Sequence, residues 1–194
     1  MSEPLPKHIV DQHIALRERA SELMQTEILY AESPDETRVS LRTWFRLWRA
    51  KRLLSKALRL CPKSWETLWG LGKIEQRLQR DEAALDYFAL AYQLRPEHVD
   101  VARESGIAAL QAGRAESALE LCLAAVNLDP ENHGLIANLA LAYILSGQDE
   151  AAHRCIQRSL ALSPEDSISL YVQEVVQHVA AGKIPRPRSL RELG

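Results

Sequence analysis

The sequence predicts an all-α fold, a right-handed superhelical solenoid of stacked helical hairpins, and three observations predict it. Pro62, Pro96, Pro130 and Pro164 recur at a single interval of 34 residues. A small residue, an apolar residue, a spacer, Leu and a spacer precede each one: Ala57-Leu58-Arg59-Leu60-Cys61, Ala91-Tyr92-Gln93-Leu94-Arg95, Ala125-Val126-Asn127-Leu128-Asp129 and Ser159-Leu160-Ala161-Leu162-Ser163. A period of this length marks helical hairpins that bury their faces on one another. Small residues also recur in register, at Gly72, Gly106 and Ala140 and again at Ala84, Ala118 and Ala152. The composition agrees: 46% apolar residues, 26% charged and only 6% aromatic suit a packed helical protein and argue against disorder.

Taken in chain order, the first element is a helix over roughly 7–31, carrying Ile9, Val10, Ile14, Leu16, Leu23, Ile28 and Leu29. Ser33-Pro34-Asp35-Glu36 reads as a capping box that opens a long second helix over 34–60. The end of that helix matches the second helix of a repeat, but its beginning does not. Three full units follow, 65–98, 99–132 and 133–166, with the proline at position 32 of each. Within a unit, position 8 is small where the two helices approach closely, and position 20 is Ala for the same reason. Position 27 is Ala91, Ala125 or Ser159, and position 24 offers Phe88, Cys122 or Ile156 as a packing knob. Position 30 is Leu94, Leu128 or Leu162. The helices of a unit turn at Gln79-Arg80-Asp81, Gly113-Arg114-Ala115 and Gly147-Gln148-Asp149, where Gly ends a helix in the left-handed region. The proline is placed in the first turn of the next helix, where a missing N–H costs nothing. Residues 167–182 form a closing helix stopped by Gly182, and the tail 183–194 alternates Pro with Arg and is extended. The count is about nine helices and no strands. The parts are 1–63, a helix pair with a degenerate half repeat; 64–182, three repeats with a capping helix; and 183–194, a basic tail.

The pattern of small-Leu-Gly in the first helix, Ala at positions 20 and 27 and Pro at 32 resembles the tetratricopeptide repeat over residues 65–166. It departs at position 11, where Tyr143 is aromatic but Glu75 and Ala109 are not. The resemblance implies an array whose concave face, lined by first-helix positions 2, 5, 9, 12 and 13, binds an extended or helical peptide. The partner-binding residues it implies are Trp69 and Lys73 in the first unit, Arg103, Ile107 and Leu110 in the second, and Leu141, Ile144 and Leu145 in the third. Tyr171 and Val175 of the closing helix complete the set. The groove is polar at its N-terminal end and apolar at its C-terminal end, where a partly exposed patch suits an apolar or amphipathic segment. The alternative is that the tail or the closing helix covers it. A subset of the family grips the terminal carboxylate of heat-shock chaperones with Lys, Asn and Arg. The corresponding positions here are Trp69, Lys73, Glu104, Gly134 and Asn138, and Glu104 would repel a carboxylate.

Charge sets up the competing reading. The formal net charge of −2 advertises no polyanionic partner for the whole molecule, yet residues 38–63 hold basic residues and no acidic one. Arg38, Arg42, Arg46, Arg49, Arg52, Lys56 and Arg59 share one helical face, with Leu47, Ala50, Leu54, Ala57 and Leu58 opposite and Trp44 and Trp48 at the border. The basic surface of Arg42, Arg46, Arg49 and Lys56 suits anionic lipid or nucleic acid, or is a solvated face partly paired with Asp11, Glu18 and Glu22. The near-neutral total argues against membrane and nucleic acid.

No catalytic residues, cofactor or metal site is expected. The six histidines lack helical metal spacing, and Cys61, Cys122 and Cys155 form neither a disulfide framework nor a CxxC motif. No apolar run approaches the ~20 residues of a membrane span, and the first residues lack the core of a signal peptide. The expectation is a cytoplasmic protein–protein interaction module, an adaptor or chaperone-like protein. Its partner is a protein or peptide, and self-association through the ends of the array is also open.

Overall fold

The computed structural model describes residues 5–28 and 39–193. Among them are nine α-helices and no strand. The chain divides between Leu94 and Arg95 into two compact units.

The first unit holds α1 (Lys7–Ile28), α2 (Leu41–Leu60), α3 (Trp65–Arg77) and α4 (Asp81–Leu94). Helix α2 begins later than the sequence suggested. Ser40 is extended (φ −63°, ψ 155°) and its hydroxyl accepts from the Thr43 N–H, which makes it the N-cap. The proposed capping box at Ser33-Pro34-Asp35-Glu36 lies outside the described residues. Helices α1 and α2 pack on each other and α2 on α3, closing a core of Ala20, Met24, Leu47, Ala50, Leu54, Leu71 and Ile74. The buried stripe of α1 differs from the one expected: Val10 and Ile14 stay substantially exposed, while His13, Ala20 and Met24 turn inward. His13 reaches Thr67 Oγ1 on α3 at 3.1 Å. Burial and the nearby Arg17, opposed by Glu66, hold its pKa below the ordinary imidazole value. This packing therefore favours the neutral ring.

Glu75, on the inner face of α3, is 1% exposed. Its carboxylate meets Lys51 Nζ of α2 at 2.5 Å and Arg80 Nη1 at 3.6 Å. Position 11 of this repeat thus holds an ion pair that ties α2 to α3.

The second unit holds α5 (Val99–Gln111), α6 (Ala115–Leu128), α7 (His133–Leu145), α8 (Asp149–Leu162) and α9 (Ser167–Ala180), then a single 3-10 turn at Leu190–Glu192. Helices pair as α5–α6 and α7–α8, with α6 against α7 and α9 against both α7 and α8. The repeat register has a direct physical basis. A Cβ on Gly72 would stand 2.7 Å from the Phe88 ring, and one on Gly106 would stand 2.8 Å from Cys122 Sγ. Position 8 is small because the position-24 knob of its own hairpin fills the space; in the third repeat Ala140 and Ile156, both 0% exposed, divide that space differently. Ala84, Ala118 and Ala152 are likewise fully enclosed. Ser159, which replaces Ala at position 27, is buried but satisfied: it donates to the His133 carbonyl at 2.7 Å and shares a 2.8 Å bond with Ser169 of α9. Position 30 is less buried, with Leu94, Leu128 and Leu162 at 36%, 40% and 45% exposure.

Both kinds of turn follow one geometry throughout. Within hairpins, Gln79, Gly113 and Gly147 have φ of 57°, 69° and 76°. The N–H groups of Arg80, Arg114 and Gln148 bond back to the carbonyls of Glu75, Ala109 and Tyr143, the paired closure of a Schellman motif. Between repeats the prolines do not enter the next helix. Each sits second in a β-turn closed by Ser64 N–H to Cys61 O, His98 N–H to Arg95 O, Asn132 N–H to Asp129 O or Asp166 N–H to Ser163 O. The ring presets the φ this position needs. The residue two places on becomes the N-cap, and Ser64, Asn132 and Asp166 cap through their side chains.

Candidate binding groove

The first helices of the hairpins, α3, α5 and α7, together with α9, carry every residue expected to bind a partner. In the first unit Trp69 and Lys73 are both half-buried. The ammonium lies 5.8 Å from the indole centroid and donates to Gln76 Oε1 at 3.2 Å. Trp69 Nε1 is buried and, among the described residues, meets no acceptor. On α5, Arg103 bonds Asp100 at 2.9 Å and the buried Glu104 at 3.3 Å.

The second unit brings Arg103, Ile107, Leu110, Leu141, Ile144, Leu145, Tyr171 and Val175 onto three neighbouring helices. Their exposure corrects the sequence reading. Leu141, Val175 and Ile144, expected in a partly open apolar patch unless the tail or closing helix covered it, are 4%, 4% and 0% exposed, and Leu110, read as a groove residue, is 0% exposed. Tyr171 remains 45% exposed, and Ile107 and Leu145 are half-buried. The closure has two causes, the packing of α7 against α5 and α9 and the return of the chain after Gly182.

That returning segment is laid against the helix ends by specific contacts. Gly182 (φ 66°) turns the chain out of α9. The Arg186 guanidinium then donates to the Ile144 carbonyl at 2.7 Å and makes two bonds to Asp149, at 2.6 Å and 3.0 Å. Pro187 is buried. The Arg188 carbonyl passes so near α5 that a Cβ on Gly113 would stand 2.7 Å from it. The 3-10 turn follows, Glu192 accepts from the Arg188 N–H at 2.7 Å, and the Tyr171 hydroxyl donates to the Leu193 carbonyl. The hydrogen bonds from Arg186 hold the Asp149 carboxyl below its ordinary pKa. Asp149 was read from sequence only as part of the turn at Gly147-Gln148-Asp149 and not as a binding residue; only the Pro–Arg alternation of the tail hinted that a carboxylate partner should exist.

On α2, Arg42, Arg49 and Lys56 are exposed and Arg46 is half-buried. Leu41, Trp44, Phe45 and Trp48 are exposed beside them at 80%, 38%, 57% and 42%. Arg52 stacks on Trp48, 4.9 Å from the ring centroid. A cleft of about 640 Å³ lies between this face and Leu78 and Arg80.

Burial pushes the Cys122 thiol up to about 12, so it remains protonated near neutrality and serves packing. Among the described residues no cluster of His, Cys, Asp or Glu is placed to hold a metal ion, and no helix is long and apolar enough to cross a membrane.

Two tetratricopeptide repeat family models match the chain, over residues 48–98 and 109–171, together more than half of its length. The chain belongs to the tetratricopeptide repeat family. Solved structures show the same all-α solenoid class. MamA from Desulfovibrio magneticus, residues 41 to its end, is 20% identical with a TM-score of 0.72, covering 89% of this chain and 86% of that one. PilF of Pseudomonas aeruginosa is 18% identical at a TM-score of 0.64, covering 96% and 75%. YrrB, described as a tetratricopeptide repeat protein with an unusual peptide-binding site, is 18% identical at 0.63, covering 86% and 90%. No curated protein matches this tetratricopeptide repeat chain in sequence.

Proposed function

We propose that this tetratricopeptide repeat protein is a protein–protein interaction module, adaptor or chaperone-like in role, that holds an extended or helical partner segment against α5, α7 and α9. One observation carries the reading: residues 183–193 already lie against the ends of these helices, irregular through Pro187 and closing in a 3-10 turn, and are held there by specific contacts. A surface that accepts one such segment has the shape and hydrogen-bonding groups to accept another. The peptide-binding site named for YrrB is consistent with it. Trp69 and Lys73 supply a further recognition point in the first unit.

The test is selection from a random peptide library on the immobilised full chain, repeated with Ile107→Asp and with Tyr171→Ala. The expected result is a family of enriched peptides that both variants lose while keeping the wild-type helical circular dichroism. Enrichment that neither substitution affects, or none at all, defeats the groove reading. A second reading, peripheral binding to anionic lipid or nucleic acid through α2, is favoured by the exposed Trp44, Phe45 and Trp48 among arginines.

A further inference from the structure

We infer that the groove selects an extended segment containing an arginine between prolines, with Asp149 and the C-terminal end of α7 as its arginine subsite and the chain's own tail as its resident occupant. This deepens the groove reading above and rests on it. The subsite is specific for a guanidinium. Arg186 satisfies Asp149 through two parallel bonds, 2.6 Å and 3.0 Å, while one of its nitrogens also reaches the Ile144 carbonyl at 2.7 Å. That carbonyl is one of the last of α7; it already accepts from the Gly147 N–H at 3.1 Å, and the guanidinium takes its second lone pair at the helix end that carries partial negative charge. A planar fork fits a carboxylate and a helix end at once; an ammonium on a flexible stem does not.

The rest of the contact concerns backbone shape, which a partner can copy. Pro185 and Pro187 fix φ and favour an extended path, so little conformational entropy is lost when such a segment docks. The path runs so close to α5 that only a glycine at position 113 leaves room for the Arg188 carbonyl. Tyr171 then takes a main-chain carbonyl, at Leu193, and so reads no side chain. The tail leaves space: a cleft of about 400 Å³ persists between it and α9, lined by Tyr171, Val175, His178 and Ile184 among others. A partner with a larger apolar residue where the tail has Ile184 would fill it. A tethered occupant acts at an effective concentration in the millimolar range, so it sets the affinity a partner must exceed.

The experiment uses a fluorescein-labelled synthetic peptide of residues 183–193, titrated by anisotropy into the full-length chain. The wild type, whose own tail competes, and the Arg186→Ala chain, whose tail has lost its anchor, are compared. The expected outcome is about tenfold tighter binding to Arg186→Ala. Adding Asp149→Asn should abolish that binding, and a peptide with Lys in place of the central arginine should bind at least about tenfold more weakly. Hydrogen exchange supplies a second readout: the Glu192 and Leu193 amides should exchange faster in Arg186→Ala than in wild type. Equal affinity for the two chains, indifference to Asp149, or no binding to a folded Arg186→Ala chain overturns the proposal. If the library selection still enriches Ile107-dependent peptides that lack a Pro-Arg element, the groove reading survives and this one falls.

Discussion

At position 118 the hairpin encloses a methyl group completely. Ala118 is 0% exposed where α6 approaches its partner helices, as are Ala84 and Ala152 at the same place in their repeats. Replacing Ala118 with Phe should overpack that contact and cost about 1–3 kcal/mol, read as a lower denaturant midpoint with an unchanged slope. A neutral substitution would show that the α5–α6 contact is not where the register puts it. This layer of the molecule is legible in the sequence, because steric exclusion at close approach leaves a small residue at a fixed interval. Its partner is less so: only the structure shows that Gly72 answers to Phe88, and Gly106 to Cys122. The prolines mislead for a related reason. A residue without an N–H suits both the first turn of a helix and the second place of a β-turn. What separates the two is the N-cap, and Ser64, Asn132 and Asp166 mark it two residues downstream.

Helix α2 is joined to α3 by apolar packing and by a single buried charge. Converting Glu75 to Ala leaves Lys51 without its partner and opens space beside it. Because Lys51 is about a third exposed, the cost should fall at about 2–3 kcal/mol, below the ~3–5 of a fully buried pair. Pairing Glu75→Gln with Lys51→Met should restore most of the loss. Chemical denaturation of the three chains decides it, and a double variant as unstable as the single one would show that packing around α2 matters more than the pair. Glu75 stood out as a departure at position 11 and the tail as a possible cover, but the partner of neither was readable beforehand. Periodicity reports which face of a helix is buried, whereas Arg186 meets Ile144 across 42 residues and Lys51 meets Glu75 through geometry that no repeat encodes. The apolar identity of the groove was therefore visible, while its coverage by the tail or closing helix stood as one of two readings that the sequence could not decide between.

Taken whole, the chain is near neutral, with a net charge of −2, yet one helix carries a concentrated basic and aromatic face. Charge on a single helix attracts anionic surfaces at low salt, and that attraction is screened beyond the ~8 Å Debye length at physiological ionic strength. Flotation with phosphatidylserine-containing vesicles should therefore show little binding of the wild type at physiological salt. Salt-sensitive binding that vanishes when Arg42, Arg46 and Arg49 are reversed to Glu would promote the lipid reading and leave the groove a secondary site.

The buried carboxylate of Glu75 also bears on how an array of look-alike parts assembles in order. Hairpins built to one pattern are in principle interchangeable, and a helix from one could dock on the wrong neighbour. Where Glu75 stands in α3, α5 offers Ala109 and α7 offers Tyr143. If α2 docked on either of those helices, Lys51 would meet no carboxylate there and Glu75 would stay buried without it. The ion pair thus works as an address: it contributes less to how firmly α2 is held than to which helix α2 accepts.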